Sequence, residues 1–130
     1  MKKGKNMGLK FYKCDVCGQI IAIVDETGVP VVCCGEEMKP VTANTVDASL
    51  EKHVPVYKIE NGRLIVRVGA LDHPMTEEHY IRWIAVETNH GNQRKCLKPG
   101  ENPAACFALC EGDKVKAVYA YCSLHGLWKN

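Results

Sequence analysis

The chain has 130 residues, 46% of them hydrophobic and 25% charged, with a formal net charge of +2. Those fractions are ordinary for a globular protein in water, and so small a charge leaves no electrostatic footprint for nucleic acid or a membrane surface. No run is long and apolar enough to cross a bilayer.

Neither nucleic acid nor a membrane is therefore an expected partner, and a cytoplasmic location is expected. The basic start Met1-Lys2-Lys3-Gly4-Lys5 is followed by polar and charged residues through Lys13, which leaves no apolar core for a signal peptide. Residues 1–8 are expected to be a basic leader, with Met7 as an alternative start. Against this background the eight cysteines stand out. In a reducing compartment, cysteines at short spacings point to metal ligation before disulfides.

From residue 9 to 40 the chain alternates as strands do, through Lys10-Phe11-Tyr12-Lys13 and Ile20-Ile21-Ala22-Ile23-Val24, with a turn at Asp25-Glu26-Thr27-Gly28 before Val31-Val32. This predicts a short hairpin ribbon carrying cysteines at both ends. Cys14-x-x-Cys17 and the adjacent pair Cys33-Cys34 supply four thiolates, a tetrahedral donor set that suits zinc and iron alike. Consecutive residues of an extended strand point in opposite directions, so Cys33 and Cys34 can share one ion only if the backbone turns there. Gly35 supplies the conformational freedom for such a turn.

Residues 41–50 show neither period and are expected to be a linker. Beyond them, Val56-Tyr57-Lys58-Ile59 and Arg63-Leu64-Ile65-Val66-Arg67-Val68 flank Asn61-Gly62, a pair that accepts the positive φ angles of a tight hairpin turn. Further strands are predicted at Tyr80 to Glu87, Ala104 to Leu109 and Lys114 to Tyr121, with no sustained helical period after residue 50. Short strands separated by turn signals predict an antiparallel β-sandwich.

Four of the five histidines, His53, His73, His79 and His125, flank these strands, with Cys122 three residues before the last. A single histidine is usually a surface or hydrogen-bonded residue, but neutral imidazoles are also common metal ligands. His90 lies in the polar turn-like segment Thr88-Asn89-His90-Gly91-Asn92 and is expected to be solvated.

Cys14-x-x-Cys17 with Cys33-Cys34, then Glu51-Lys52-His53-Val54-Pro55, His73-Pro74-Met75 with His79, and Cys122-x-x-His125-Gly126-Leu127-Trp128 occur in an order that resembles desulfoferrodoxin, the two-iron class of superoxide reductase. The resemblance implies an all-β chain. A small desulforedoxin-like four-cysteine metal ribbon at residues 9–40 precedes an immunoglobulin-like antiparallel β-sandwich at residues 51–130, the superoxide reductase, or neelaredoxin-like, domain. It also implies two iron ions. Cys14, Cys17, Cys33 and Cys34 hold a rubredoxin-type centre, for which zinc is a substitute. His53, His73, His79 and His125 form a square plane around the second iron, with Cys122 as axial thiolate.

Five protein ligands leave one octahedral position open to a small substrate. The implied reaction is one-electron reduction of superoxide to hydrogen peroxide, without release of dioxygen. Lys52 is the implied source of positive charge that steers superoxide and polarises a proton-donating water. Glu51 is the carboxylate implied to take the sixth position once the iron is oxidised. A rubredoxin-type electron donor and a homodimer are implied as well.

Cys96, Cys106 and Cys110 belong to neither set. The alternation Ala104-Ala105-Cys106-Phe107-Ala108 makes Cys106 an expected buried hydrophobe, and Cys96 with Cys110 a candidate redox pair. Two competing classes stay open on sequence: a non-catalytic rubredoxin-like carrier or zinc ribbon, which leaves the histidines unexplained, and a nucleophilic Cys122/His125 pair, which lacks an evident third orienting residue.

Overall fold

The computed structural model describes residues 8–130; the expected basic leader and Met7 start lie outside the described residues, apart from Gly8. The chain divides into two compact units, Met1–Thr42 and Ala43–Asn130.

In the first unit, β1 (Phe11–Lys13) pairs antiparallel with β2 (Ile20–Ala22), while β3 (Val32–Cys33) pairs with β4 (Glu36–Glu37) and β5 (Lys39–Pro40) returns to β1. The expected single ribbon is thus a three-stranded sheet of order β2-β1-β5 beside a two-residue hairpin. Phe11, Cys14 and Met38 are its buried side chains. So small a unit buries too little apolar surface to depend on its core alone, and a bound metal is the usual remedy.

The second unit begins with a single helical turn, α1 (Leu50–His53), too short to leave a period in the sequence. Seven strands follow: β6 (Pro55–Glu60), β7 (Arg63–Val68), β8 (Ile81–Thr88), β9 (Gly91–Cys96), β10 (Ala104–Ala108), β11 (Val115–Cys122) and β12 (Gly126–Lys129). They form two antiparallel sheets of order β10-β7-β6 and β12-β11-β8-β9, an immunoglobulin-like sandwich. Asn61 and Gly62, at φ 51° and 75°, make the predicted turn between β6 and β7.

Alternation along the strands builds the core. Leu64, Val66 and Val68 of β7 and Phe107 of β10 meet Ile84 and Val86 of β8, Val118 and Ala120 of β11, and Trp128 of β12. Cys122, the last residue of β11, falls in register on this inner side, which is why it lies among apolar neighbours. Cys106 does not. It pairs with Ile65 on the outer side of its sheet, whereas Phe107 opposite Leu64 takes the core position, so the expected burial of Cys106 is corrected to half-burial.

Open strand edges are covered by side chains, as exposed edges must be to avoid pairing with other chains. Gln93 of β9 donates to the Ala108 carbonyl at 2.8 Å and Lys95 donates to that of Cys106, so β9 caps the free edge of β10. Asn44 does the same for β12, accepting from Lys129 N–H at 2.8 Å and donating to the Lys129 carbonyl at 3.1 Å.

Candidate metal centres

The four N-terminal cysteines come together at two turns. Cys14 and Cys17 bracket a tight loop in which Gly18 N–H donates to the Cys14 carbonyl at 2.9 Å. Cys34 takes φ 53° and Gly35 φ 77°, the turn that adjacent ligands require. All four sulfurs lie within 4.8 Å of one another, with Cys17 to Cys33 at 3.7 Å and Cys33 to Cys34 at 4.0 Å. Sulfurs bound tetrahedrally at about 2.3 Å from one ion stand ~3.8 Å apart, so the spacing fits a single ion.

Backbone N–H groups aimed at the sulfur, that of Cys17 foremost, lower the Cys14 thiol to about 7. The neighbouring Cys14 sulfur pushes Cys33 up to about 12. A divalent or trivalent cation removes that conflict by taking all four as thiolates.

The second cluster is assembled from four separate segments. Helix α1 presents His53, the loop after β7 presents His73, the turn before β8 presents His79, and the β11–β12 turn presents His125 next to Cys122. Ring centroids run around a cycle, His53 to His73 4.6 Å, His73 to His79 4.6 Å, His79 to His125 5.1 Å and His125 to His53 4.9 Å, with each neighbouring pair within about ten degrees of perpendicular. Across the diagonal, His53 and His79 are 6.2 Å apart and nearly parallel at 27°. The four imidazoles therefore stand at the corners of a near-square. Cys122 Sγ joins it, 3.8 Å from His125 Nδ1 and within 4.8 Å of the ligand atoms of His53 and His79.

Backbone carbonyls fix the tautomers. His53 Nδ1 is 2.7 Å from the Ser49 oxygen and His73 Nδ1 is 2.7 Å from the Pro74 oxygen. A carbonyl only accepts, so each Nδ1 carries the proton and each Nε2 keeps its lone pair. Those two Nε2 atoms nevertheless face each other at 3.2 Å, and His53 Nε2 is 3.1 Å from His125 Nδ1. His79 Nε2 is buried with no hydrogen-bond partner. Lone pairs converging without a proton between them are stable around a cation. Nitrogens bound at right angles about 2.1 Å from one ion lie ~3.0 Å apart, which the observed separations match.

Burial, more than the neighbouring imidazoles, holds His53 below its usual range and lowers His73 to about 4; it also lowers His79, with help from the His125 and Lys52 charges. All three are thus neutral ligands at neutral pH. Burial pushes the Cys122 thiol up, and its side chain is 0% exposed. Both are opposite to what a Cys/His nucleophile needs. Glu51 and Lys52, the two residues before His53, are exposed, whereas His53 and His73 are each 3% exposed and Cys122 is fully buried at the interior side of the cluster.

Supporting residues were less visible in the sequence. Trp128 packs against the His53 ring at 4.8 Å with the planes tilted by 33° and donates its indole N–H to the His125 carbonyl at 3.2 Å, bracing two corners. Its only signal was its place three residues after His125. Ser123 Oγ accepts from Tyr80 N–H at 3.1 Å and donates to the Glu78 carbonyl at 3.4 Å, holding the His79 turn beside β11. Cys96 and Cys106 line an open groove of about 470 Å³, and Arg94 donates to the Cys96 sulfur at 2.9 Å. Cys110 is exposed, and all eight cysteines are free. His90 is exposed, 3.3 Å from Asp113.

A family model described as desulfoferrodoxin matches residues 45–130, and one described as desulfoferrodoxin, N-terminal domain, matches residues 7–41. The chain belongs to the desulfoferrodoxin family. A desulfoferrodoxin of Syntrophotalea carbinolica is 45% identical over 122 residues, covering 94% of this chain and 95% of that relative. A superoxide reductase of Pyrococcus horikoshii is 35% identical over 107 residues, 68% of this chain and 92% of its own length. Among solved structures, the superoxide reductase from Treponema pallidum superposes with a TM-score of 0.80 at 36% identity, covering 95% of this chain and 99% of that one. As in that family, the described residues hold one four-cysteine cluster and one histidine-cysteine cluster. The described residues include no helix long and apolar enough to cross a membrane.

Proposed function

We propose that this chain is a superoxide reductase, which reduces superoxide by one electron to hydrogen peroxide and carries two iron ions. The observation that carries this is the near-square of four imidazoles closed on its interior side by a buried cysteine. His53, His73, His79, His125 and Cys122 would hold one iron, and Cys14, Cys17, Cys33 and Cys34 the other. When bound, the iron of the histidine centre supplies the electron that takes superoxide to the peroxide level.

The remaining tasks fall to the chain. The Ser49 and Pro74 carbonyls keep the lone pairs of His53 and His73 aimed inward. The apolar neighbours of Cys122 exclude water from the interior side, leaving one route of approach. On that route the exposed Lys52, whose charge bears on both His53 and His79, attracts the superoxide anion and polarises the water that delivers protons. Glu51 beside it offers a carboxylate to close the open side after product has left.

A homodimer belongs to this proposal and is supported by Val16, Val24, Val29 and Val32 of the first unit, all exposed, an apolar display that a second copy would cover. A small rubredoxin-type protein is the proposed electron donor. Cysteines grouped for metal ligation, with none of the eight in a disulfide, support a reducing compartment such as the cytoplasm.

Product stoichiometry tests the reaction. With an excess of reductant, each superoxide consumed should yield one hydrogen peroxide and no dioxygen; half that yield, with dioxygen released, would make the protein a dismutase instead.

A further inference from the structure

Gly69 lies between two of the histidine-bearing segments. A β-carbon placed on it would come 2.6 Å from the Glu51 carbonyl oxygen, 2.8 Å from that of Val54 and 3.1 Å from the Lys52 carbonyl carbon. All three are backbone atoms of α1 or of the residue that ends it, so no side-chain rotation relieves the contact. By comparison, a β-carbon at Gly62 or Gly126 would meet its nearest neighbour at 3.8 or 3.9 Å, ordinary packing distances.

Hydrogen bonds pull the same backbones together. Leu71 N–H donates to the Glu51 carbonyl at 3.0 Å, Gly69 N–H donates to the Leu71 carbonyl at 3.0 Å, and His73 N–H donates to the Val68 carbonyl at 2.9 Å. The loop therefore rests on the turn that carries Glu51, Lys52 and His53 and leads directly to His73. From outside, the exposed Arg67 donates to the Gly69 carbonyl at 3.3 Å and to that of Ala70 at 3.4 Å.

The geometry points to Gly69 as a positioning residue for superoxide reduction, an inference that rests on the function proposed above: having no side chain, it lets α1 seat against the 69–72 loop and so sets His53 and Lys52 relative to His73. Gly69 itself touches no reacting atom. Any larger residue lifts α1 away from the loop, which moves one corner of the imidazole square and the steering charge together, and displacements of about 1 Å in such arrangements can cost ~100-fold in rate.

The test compares iron-loaded wild type, Gly69→Ala and Arg67→Ala by visible absorption of the oxidised protein and by the second-order rate with superoxide. In Gly69→Ala the thiolate-to-iron(III) band of the histidine centre should shift and the rate fall at least about tenfold, while the four-cysteine band stays where it is. Arg67→Ala, which adds no bulk, should give a smaller band shift and a rate loss of about twofold to threefold. Gly69→Ala protein with both irons, an unmoved band and a wild-type rate would overturn the inference. Where Gly69→Ala does not fold, Arg67→Ala decides: a moved band supports the positioning role and an unmoved one overturns it. A wild type lacking the thiolate band would instead defeat the reductase assignment, and this inference with it.

Discussion

His53 and His73 point their Nε2 atoms at each other across 3.2 Å although both have committed their Nδ1 protons to backbone carbonyls. Two unprotonated nitrogens at that distance repel, and protonating either one would put a charge in a buried site. The fold thus stores an electrostatic conflict that a cation resolves.

A pH dependence of the metal-free protein follows. Burial lowers His53 and lowers His73 to about 4 from an unfolded value near 6.5. Between those values the unfolded chain binds more protons than the folded one, so stability rises with pH across this window and is lost as pH falls through it. Urea midpoints of chelator-treated protein should drop from pH 7.5 to pH 4.5 in the second unit. A flat profile would mean that these imidazoles are solvated in the metal-free fold.

Lys52→Ala should slow the second-order reaction with superoxide by about tenfold and flatten its dependence on ionic strength, with both metals retained. Stopped-flow or pulse-generated superoxide at two salt concentrations reads both effects. An unchanged rate would remove Lys52 from the mechanism.

At Gly35, φ is 77° and nothing lies within 4 Å of a β-carbon, so Gly35→Ala introduces backbone strain without a clash. The left-handed region costs an alanine roughly 1–2 kcal/mol. The four-cysteine metal should be lost to a chelator several-fold faster than in wild type, with the histidine centre unaffected. Equal loss from both centres would show that the strain is not confined to the first unit.

The sequence made the β class and the paired turns legible because both depend on local chemistry. Asn61, Gly62 and Gly35 lie at positive φ as their residue types suggested, and Cys34 joins Gly35 in the turn that shared ligation required; the alternation of Leu64, Val66 and Val68 is the sandwich core. Strand β9 was missed because every residue from Gly91 to Cys96 is exposed; it is held by pairing with β8 and by its contacts to β10, neither of which leaves an apolar period. Helix α1 is one turn, below the length at which a period can be read.

Residue chemistry alone made the histidines candidates, and their grouping came from family resemblance, since they arrive from four segments far apart in sequence. The bracing by Trp128 and the close approach at Gly69 depend on tertiary contacts with no local signature. Cys106 was misplaced because an Ala-rich strand gives no contrast between its two sides, and the register with β7 decided which side faces the core.

Iron content and the visible spectrum of the air-oxidised protein, wild type against Cys122→Ser, test the central claim most directly. Wild type should hold two irons per chain and show a thiolate-to-iron(III) band distinct from that of the four-cysteine centre, and Cys122→Ser should lose that band alone. Persistence of the band in Cys122→Ser, or a wild type whose only metal sits on the N-terminal thiolates, would contradict the assignment of the histidine-cysteine cluster as the site of superoxide reduction.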